Sequence, residues 1–458
     1  MRAGRAGSGR RGRPEARLGA TGTVREGSDH MMRLNRLAAG VLAVLAAPAG
    51  AVQLDYTLEL GLLHSDNINL SQDDSVSQNV AIPGINFTLS QQGATVQALV
   101  RGVAEYRNYL GNAFDDEFRG QLDGIVNWTL LPERLTWTFQ DALGLQPINV
   151  LQADTPTNLQ QTNVFATGPT FRFRLNPVLR GQAELRYVDS YAEETEEFNS
   201  RRLLGALRVF HDLSSTSELS ANLQTERVDF DEDDLERYTR YDLFARYTSH
   251  LAVLDLDAVL GYSRFDYRDR DDRSGLLARA TLGWRPSARS TFNLSLTRQY
   301  SDAATDMMAD PGAIGTGGTG IVIGDVSIDS GVYLEQRIDL GYAYTGERLG
   351  LHVVPYWRKL DYEQDARGVD QRGGGLNGEI SYRLRPQLRG GFVMSAERRN
   401  FIGLDRRDDD TRYGVFLTQQ WTRHWAWRLD LLRGERDSTG DGVDFDDNQA
   451  YLRVSYTR

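Results

Sequence analysis

The chain has 458 residues, 40% of them hydrophobic, a mean hydropathy of −0.46 and a net charge of −11. Spanning helices need runs of about 20 apolar residues, and the one apolar stretch of note, Leu37 to Ala47, is too short. Cysteine is absent, which removes disulfide frameworks, thiolate zinc sites and cysteine nucleophiles together.

Residues 1–31 are rich in Arg and Gly without any apolar period, and read as a mis-annotated start or a disordered leader. A second start at Met31 and Met32 opens a stretch with the layout of a secretory signal peptide, residues 32–51. Arg33 and Arg36 supply its positive region, Leu37 to Ala47 its apolar core, and Ala49, Gly50 and Ala51 its small-residue cleavage site. A mature chain of residues 52–458 loses nine Arg and three acidic residues with the leader, so its net charge becomes −17.

From Val52 onward the pattern is period two. Leu54, Tyr56, Leu58, Leu60 and Leu62 fall on one face, opposite Gln53, Asp55, Thr57, Glu59 and Gly61. That is a β-strand with one apolar side. The pattern recurs in chain order at Leu219 to Leu223, Leu254 to Tyr262, Leu276 to Trp284 and Phe292 to Leu296, and closes with Ala450, Leu452, Val454 and Tyr456. No segment after Val52 shows a helical period, and no internal domain boundary is visible.

The connections alternate in length. Short ones fall at Ser90–Gly93, Leu131–Arg134, Asn176–Pro177, Ser249–His250, Gly346–Glu347, Arg385–Gln387 and Thr422–His424. Long ones fall at His64–Ser77, Gln146–Gln160, Asp189–Ser200, Asp229–Arg237, Asp266–Arg273, Asp302–Ile328, Leu360–Arg372, Asn400–Thr411 and Arg436–Asn448. Tight periplasmic turns and long external loops are the mark of outer-membrane barrels, whose strands also come in even numbers. The breaks predict an all-β transmembrane antiparallel barrel of about twenty strands (18–22), exported to the outer membrane of a Gram-negative cell. Six of the seven tryptophans, Trp128, Trp137, Trp284, Trp421, Trp425 and Trp427, sit beside short turns, as an interfacial girdle requires. The chain ends on Tyr456, Thr457 and Arg458, whereas such barrels commonly finish on an aromatic residue.

The first strand running into Ser65-Asp66-Asn67-Ile68-Asn69-Leu70-Ser71, followed by hairpins to the C-terminus, resembles the outer-membrane β-barrel porins found in exopolysaccharide and PEP-CTERM (exosortase) gene clusters. The resemblance covers the mature chain and implies an outer-membrane location and a part in polysaccharide export or surface attachment. The family has no established catalytic residues to carry over.

A barrel offers chemistry on its lumen and on its loops. The lumen register is rich in arginine, with Arg101, Arg180, Arg186, Arg246, Arg279, Arg337 and Arg428 as the lining candidates, and Arg107, Arg208, Arg240, Arg389, Arg412 and Arg453 on the same register. Acids such as Asp55, Glu59, Glu105, Asp123, Glu184, Asp242 and Asp430 share that register, so a salt-laced wall without a particular cargo is one reading. The sharper one is an arginine constriction that selects anionic solutes or acidic polysaccharide, because the guanidinium fork binds carboxylates bidentately.

Four acidic clusters are assigned to external loops facing lipopolysaccharide: Asp231 to Glu236, Asp266 to Asp272, Asp408 to Asp410, and Asp437 to Asp447. Within the last, Asp437, Asp441 and Asp444 are weak candidates for a calcium site. The longest loop, Asp302–Ile328, carries Met307, Met308, a Gly-rich stretch from Gly312 to Gly320 and the apolar run Ile321 to Ile323. It either folds into the lumen and narrows it or forms an external flap.

No cofactor motif is visible, and the charge argues against nucleic acid. Of the six histidines, His64 and His352 are the candidates for a barrel-wall lipid hydrolase, a reading secondary to a channel or to a non-conducting barrel with adhesive loops.

Overall fold

The alternation of Leu54, Leu58, Leu60 and Leu62 with polar residues becomes an extended strand with one face in an apolar medium, and the same happens along the whole chain. The computed structural model describes residues 52–111, 113–232, 237–268, 271–309, 331–363 and 369–458.

Strands β1 to β5 are Val52–Ser65, Gln78–Gln92, Val96–Tyr109, Glu117–Leu131 and Leu135–Pro147; β6 to β10 are Leu159–Arg174, Leu179–Ala192, Ser200–Asp212, Ser217–Phe230 and Tyr238–His250. Strands β11 to β15 are Leu254–Tyr267, Arg273–Ser287, Ser290–Ser301, Tyr333–Thr345 and Leu349–Tyr362; β16 to β20 are Gln371–Arg385, Leu388–Phe401, Arg406–Gln420, Trp425–Ser438 and Phe445–Thr457. One short helix, α1 (Ala303–Ala309), follows β13. Each strand pairs antiparallel with the next, and β1 pairs with β20 from Thr57↔Thr457 to Ser65↔Gln449, so the sheet closes into a barrel of 20 strands. No helix among the described residues is long and apolar enough to cross a membrane; the crossing is done by strands.

The outer face is apolar and exposed all round, with Leu60, Leu207, Leu223, Leu243, Leu260 and Leu452 among its members; Leu260 is 63% accessible. A soluble monomer does not expose an apolar band of that extent. Trp128, Trp284, Trp421 and Trp425 ring its lower edge. Tyr106, Phe118, Tyr187, Tyr241 and Tyr262 are exposed nearer the other ends of their strands and mark an upper edge. The ten residues from Trp128 back to Phe118 rise about 25 Å at the tilt usual for such strands, the height of a barrel's hydrocarbon band. The fold is a transmembrane β-barrel of the outer-membrane type.

Three connections escaped the sequence reading: the loop Leu110–Asp116 and the turns 213–216 and 288–289. A larger correction concerns the acids. Asp408, Asp409 and Asp410 are not loop residues but lie inside β18, and Asp437, Asp446 and Asp447 lie in β19 and β20. Arginines on the same and neighbouring strands neutralise the three of β18: Arg406 meets Asp408 at 2.7 Å, Arg398 meets Asp409 at 2.5 Å, and Arg399 and Arg436 meet Asp410 at 2.8 and 2.6 Å. Matched in this way, an acidic run extends a ladder instead of breaking it. The leader and signal segment, residues 1–51, lie outside the described residues, as do Asp233, Asp234, Glu236 and Asp269.

The Ser65–Ser71 segment ties the closing seam at its external end. The Asn67 side chain donates to Ser71 O and Asp446 O, both at 2.8 Å, and accepts from the Ser71 N–H at 3.0 Å. Asp66 accepts from the Asn448 N–H at 2.7 Å and from its side-chain amide at 2.8 Å. The backbone N–H of Asn448 thereby holds the Asp66 carboxyl below the usual carboxylate range. Asn69 folds the loop back on itself through the Val76 N–H and Asp74 O, both at 2.8 Å, while Leu70 takes a left-handed φ of 45°.

Candidate functional site

Twenty strands spaced about 4.8 Å apart and tilted by about 40° would enclose a round cylinder of roughly 20 Å radius, wider than wall side chains can fill. The external half of this lumen is narrowed from within, and two gaps in the wall explain how.

β12 and β13 pair only from Ala278↔Arg298 downward, leaving Arg273–Leu277 beside Gln299–Ser301 off the ladder. The Arg298 guanidinium takes up the freed Leu276 carbonyl at 2.6 Å. Tyr300, on the outward register with the exposed Leu296, is nonetheless buried, its ring 4.8 Å from that of Phe265 on the lumen face of β11. β13 has therefore stepped inside β12. Likewise β4 and β5 pair only from Leu122↔Leu143 downward. Above that point the hairpin β5–β6 leaves the wall.

The two displaced hairpins meet through α1, which runs from β13 to β5 and β6. Ala303, Ala304 and Met307 of the helix join Ala142, Val164 and Ala192 on one side and Tyr333, Leu360 and Tyr362 on the other in a single apolar cluster. Met307 is 2% exposed. Asp302 pins the helix: its carboxylate caps the Thr305 N–H at 2.9 Å and meets the buried Arg202 of β8 at 2.7 Å and the Tyr238 hydroxyl at 3.2 Å. Burial alone would push the Asp302 carboxyl up, but the Arg202 guanidinium beside it holds it below the usual carboxylate range. Ser301 and Tyr333 donate to Asp306, and Gln140 donates to Met308 O at 3.2 Å. The described beginning of the longest loop thus folds into the lumen; Gly312 to Gly320 and Ile321 to Ile323 lie outside the described residues.

Beside this pinch an open lobe remains between β15–β20 and β1–β4, a cavity of about 350 Å³. Arg107, Arg119, Arg399 and Arg436 line it together with Glu105, Glu397, Asp410, Tyr109, Tyr356 and Tyr451. The ion pairs Arg107–Glu105 at 3.4 Å and Arg119–Glu117 at 2.7 Å run along single strands, from one lumen residue to the next.

None of the seven lumen candidates lines this lobe. Arg101, Arg180, Arg186, Arg246, Arg279, Arg337 and Arg428 lie on the lumen register in the middle and lower wall, six of them beside acids. Arg101 meets Asp123 at 3.9 Å, Arg180 meets Asp212 at 2.9 Å, and Arg186 meets Glu184 at 3.2 Å. Arg246 meets Asp257 at 2.5 Å, while Arg337 and Arg428 each lie 2.7 to 2.8 Å from the acid two residues on, Asp339 and Asp430. Arg202, which pins the helix, and Arg119, Arg399 and Arg436 in the lobe were missed. Among the described residues, no group of three or more His, Asp or Glu is placed to hold a metal. Asp437 sits in β19, Asp441 in the tip loop, and Asp444 accepts from the Ser438 N–H at 2.6 Å. His64 meets the Asn79 amide at 2.9 Å, and no histidine among the described residues bonds to a serine hydroxyl.

The site is the pinched, charge-paired mouth of a transmembrane β-barrel. No protein-family model matches the sequence, and no curated protein does. Solved structures similar to it include the ferric enterobactin receptor PfeA of Pseudomonas aeruginosa, as a mutant, at 10% identity over 89% of this chain and 81% of that one, with a TM-score of 0.47. The copper transporter OprC matches at 12% identity over 90% and 81%, TM-score 0.45. OccAB4 of Acinetobacter baumannii matches at 9% identity over 89% and 98%, TM-score 0.36.

Proposed function

We propose that the protein is a porin-like channel of the outer membrane that passes small polar solutes through the lobe beside the lumen helix. The observation that carries this reading is the lobe itself, a cavity of about 350 Å³ with both charged and apolar lining, left open beside the α1 pinch. Its arginines are matched by acids on the same face, so the charge preference is weak: paired charges give a wet wall without a strong field.

The finer reading, a part in exopolysaccharide export or attachment, is supported by the resemblance of the Ser65–Ser71 segment. The lobe's mixture of guanidinium, carboxylate and tyrosine hydroxyl also suits sugar hydroxyls, which donate and accept. Conductance of the refolded chain from Val52 to Arg458 in a planar bilayer, under a salt gradient, tests the channel reading. Stable steps with a small reversal potential are expected, and an insertion that never conducts overturns it. Oligosaccharides added to one side should then block the steps in a saturable way if the polysaccharide reading holds.

A further inference from the structure

On the lobe's own side the wall is parted. Because the β4–β5 ladder stops at Leu122↔Leu143, the edge of β4 from Glu117 to Gln121 has no strand bonded beside it on the β5 side. The Gln161 amide of β6 takes the strand's place: it faces the Gly120 N–H and C=O at 3.1 Å each, in the orientation those partners dictate. On one side of the gap the lobe is lined by Arg119 and Gln121, from the lumen register of β4. On the other it is lined by Leu145 and Leu159, from the outward register of β5 and β6. In an unbroken sheet alternate residues look to opposite sides, so these four share one cavity only because the sheet is open between them. The exposed Phe118 on the same edge belongs to the upper aromatic girdle, which puts the gap at the level of the outer-leaflet headgroups.

The lobe also holds unmet donors. The Nε–H groups of Arg107, Arg119 and Arg399 are buried without an acceptor, yet each guanidinium has a carboxylate beside it. A guanidinium set beside a carboxylate suits a hydroxyl, which accepts from one and donates to the other, whereas an added anion would meet the acids. Leu145 and Leu159 offer an apolar wall one step away.

We infer that the β4–β5 gap is a side entrance, latched by Gln161, through which the lobe takes a single-chain amphiphile with a hydroxyl-bearing head. The alkyl chain lies against Leu145 and Leu159 and the head against Arg107 and Arg119. The inference rests on the gap and does not need the channel to conduct.

The test uses the whole barrel in phosphatidylcholine vesicles and an alkyl glucoside carrying a fluorophore at the chain end, read as the saturable excess over protein-free vesicles. Gly120→Cys with Leu145→Cys staples the gap, since these residues would oppose each other if the ladder continued. The described chain has no cysteine to interfere, and the nearest atom to a new Cβ at Gly120 is the flexible Leu143 Cδ2 at 3.3 Å. Saturable binding is expected in the parent, at least tenfold weaker in the oxidised pair and restored by reductant. Equal binding in oxidised and reduced protein overturns the proposal, as does no saturable binding in the parent. If the pair does not oxidise, Leu145→Trp with Leu159→Trp fills the gap, and unchanged binding then overturns it. Arg107→Gln with Arg119→Gln should weaken the glucoside but not a fluorescent alkane of the same length; equal loss of both overturns the head assignment.

Discussion

The two sides of the external lumen are built from the same residue types and end in opposite states. Under α1, Arg202, Glu226, Tyr238 and Asp302 are buried among themselves and roofed by Ala303, Ala304 and Met307. In the lobe, Arg107, Arg119 and Arg399 pair with acids but have no roof, and the space beside them stays open. The difference lies in what covers the charges. An ion pair taken out of water holds a geometry only when both partners and their remaining hydrogen bonds are satisfied, and the helix satisfies one set while leaving the other facing the cavity.

The largest way to break this contrast is Arg202→Ala. It leaves Asp302 buried without its counter-charge, a loss of about 3–5 kcal/mol for such a pair, and α1 should leave the lumen. Single-channel conductance is expected to rise at least twofold; an unchanged step would mean the pinch does not depend on Arg202. Next comes Asn67→Ala, which removes the hydrogen bonds of a buried side chain at the closing seam, at about 1 kcal/mol for each. The temperature at which the folded band shifts on a gel should fall, with conductance unaltered.

Arg399→Gln acts on the lobe alone. Asp410 keeps Arg436 while Glu397 loses its nearest guanidinium, so the reversal potential should move towards cations. A shift towards anions would contradict the assignment of this face to the conducting path. The smallest expected effect is that of mild acid. Because the Asp302 carboxyl is held low, its contribution is complete above the ordinary Asp value of about 3.9 and is lost only as pH falls through its folded value. Asp302 alone should leave conductance flat from pH 8 to 5, and a gating transition within that range would report Asp306 of α1, whose carboxyl burial pushes up.

The barrel was legible because period two and alternating loop lengths are local, repeated signals. Leu54 to Leu62 alone declares a strand with one lipid face, and Trp128 beside Leu131–Arg134 marks its lower end. The pinch was not legible for two reasons. Arg201-Arg202, Arg398-Arg399 and Arg406-Arg407 are doublets, so the arginine count does not say which member faces inward; only the register from neighbouring strands does. And the steps at β4–β5 and β12–β13 bring outward residues such as Leu145 and Tyr300 to the inside, against the parity on which any lumen list is built. Gly120, and the Gly275 whose added Cβ would meet the Tyr300 ring at 3.0 Å, are the local signs of those close approaches. The acid runs mislead because length and charge point to loop, while Arg partners on adjacent strands are invisible before the register is known.

The closing ladder joins Thr57 to Thr457, 400 residues apart. Ring closure therefore has the longest sequence separation in the molecule, and by the relation between contact order and rate it is the expected late step of assembly. Until it happens β1 and β20 are both bare edges, able to template strands of other chains. The Asp66 and Asn67 contacts to Asp446, Asp447 and Asn448 then act as a clasp made last, and a chain that stalls before β20 would present two adhesive borders instead of none.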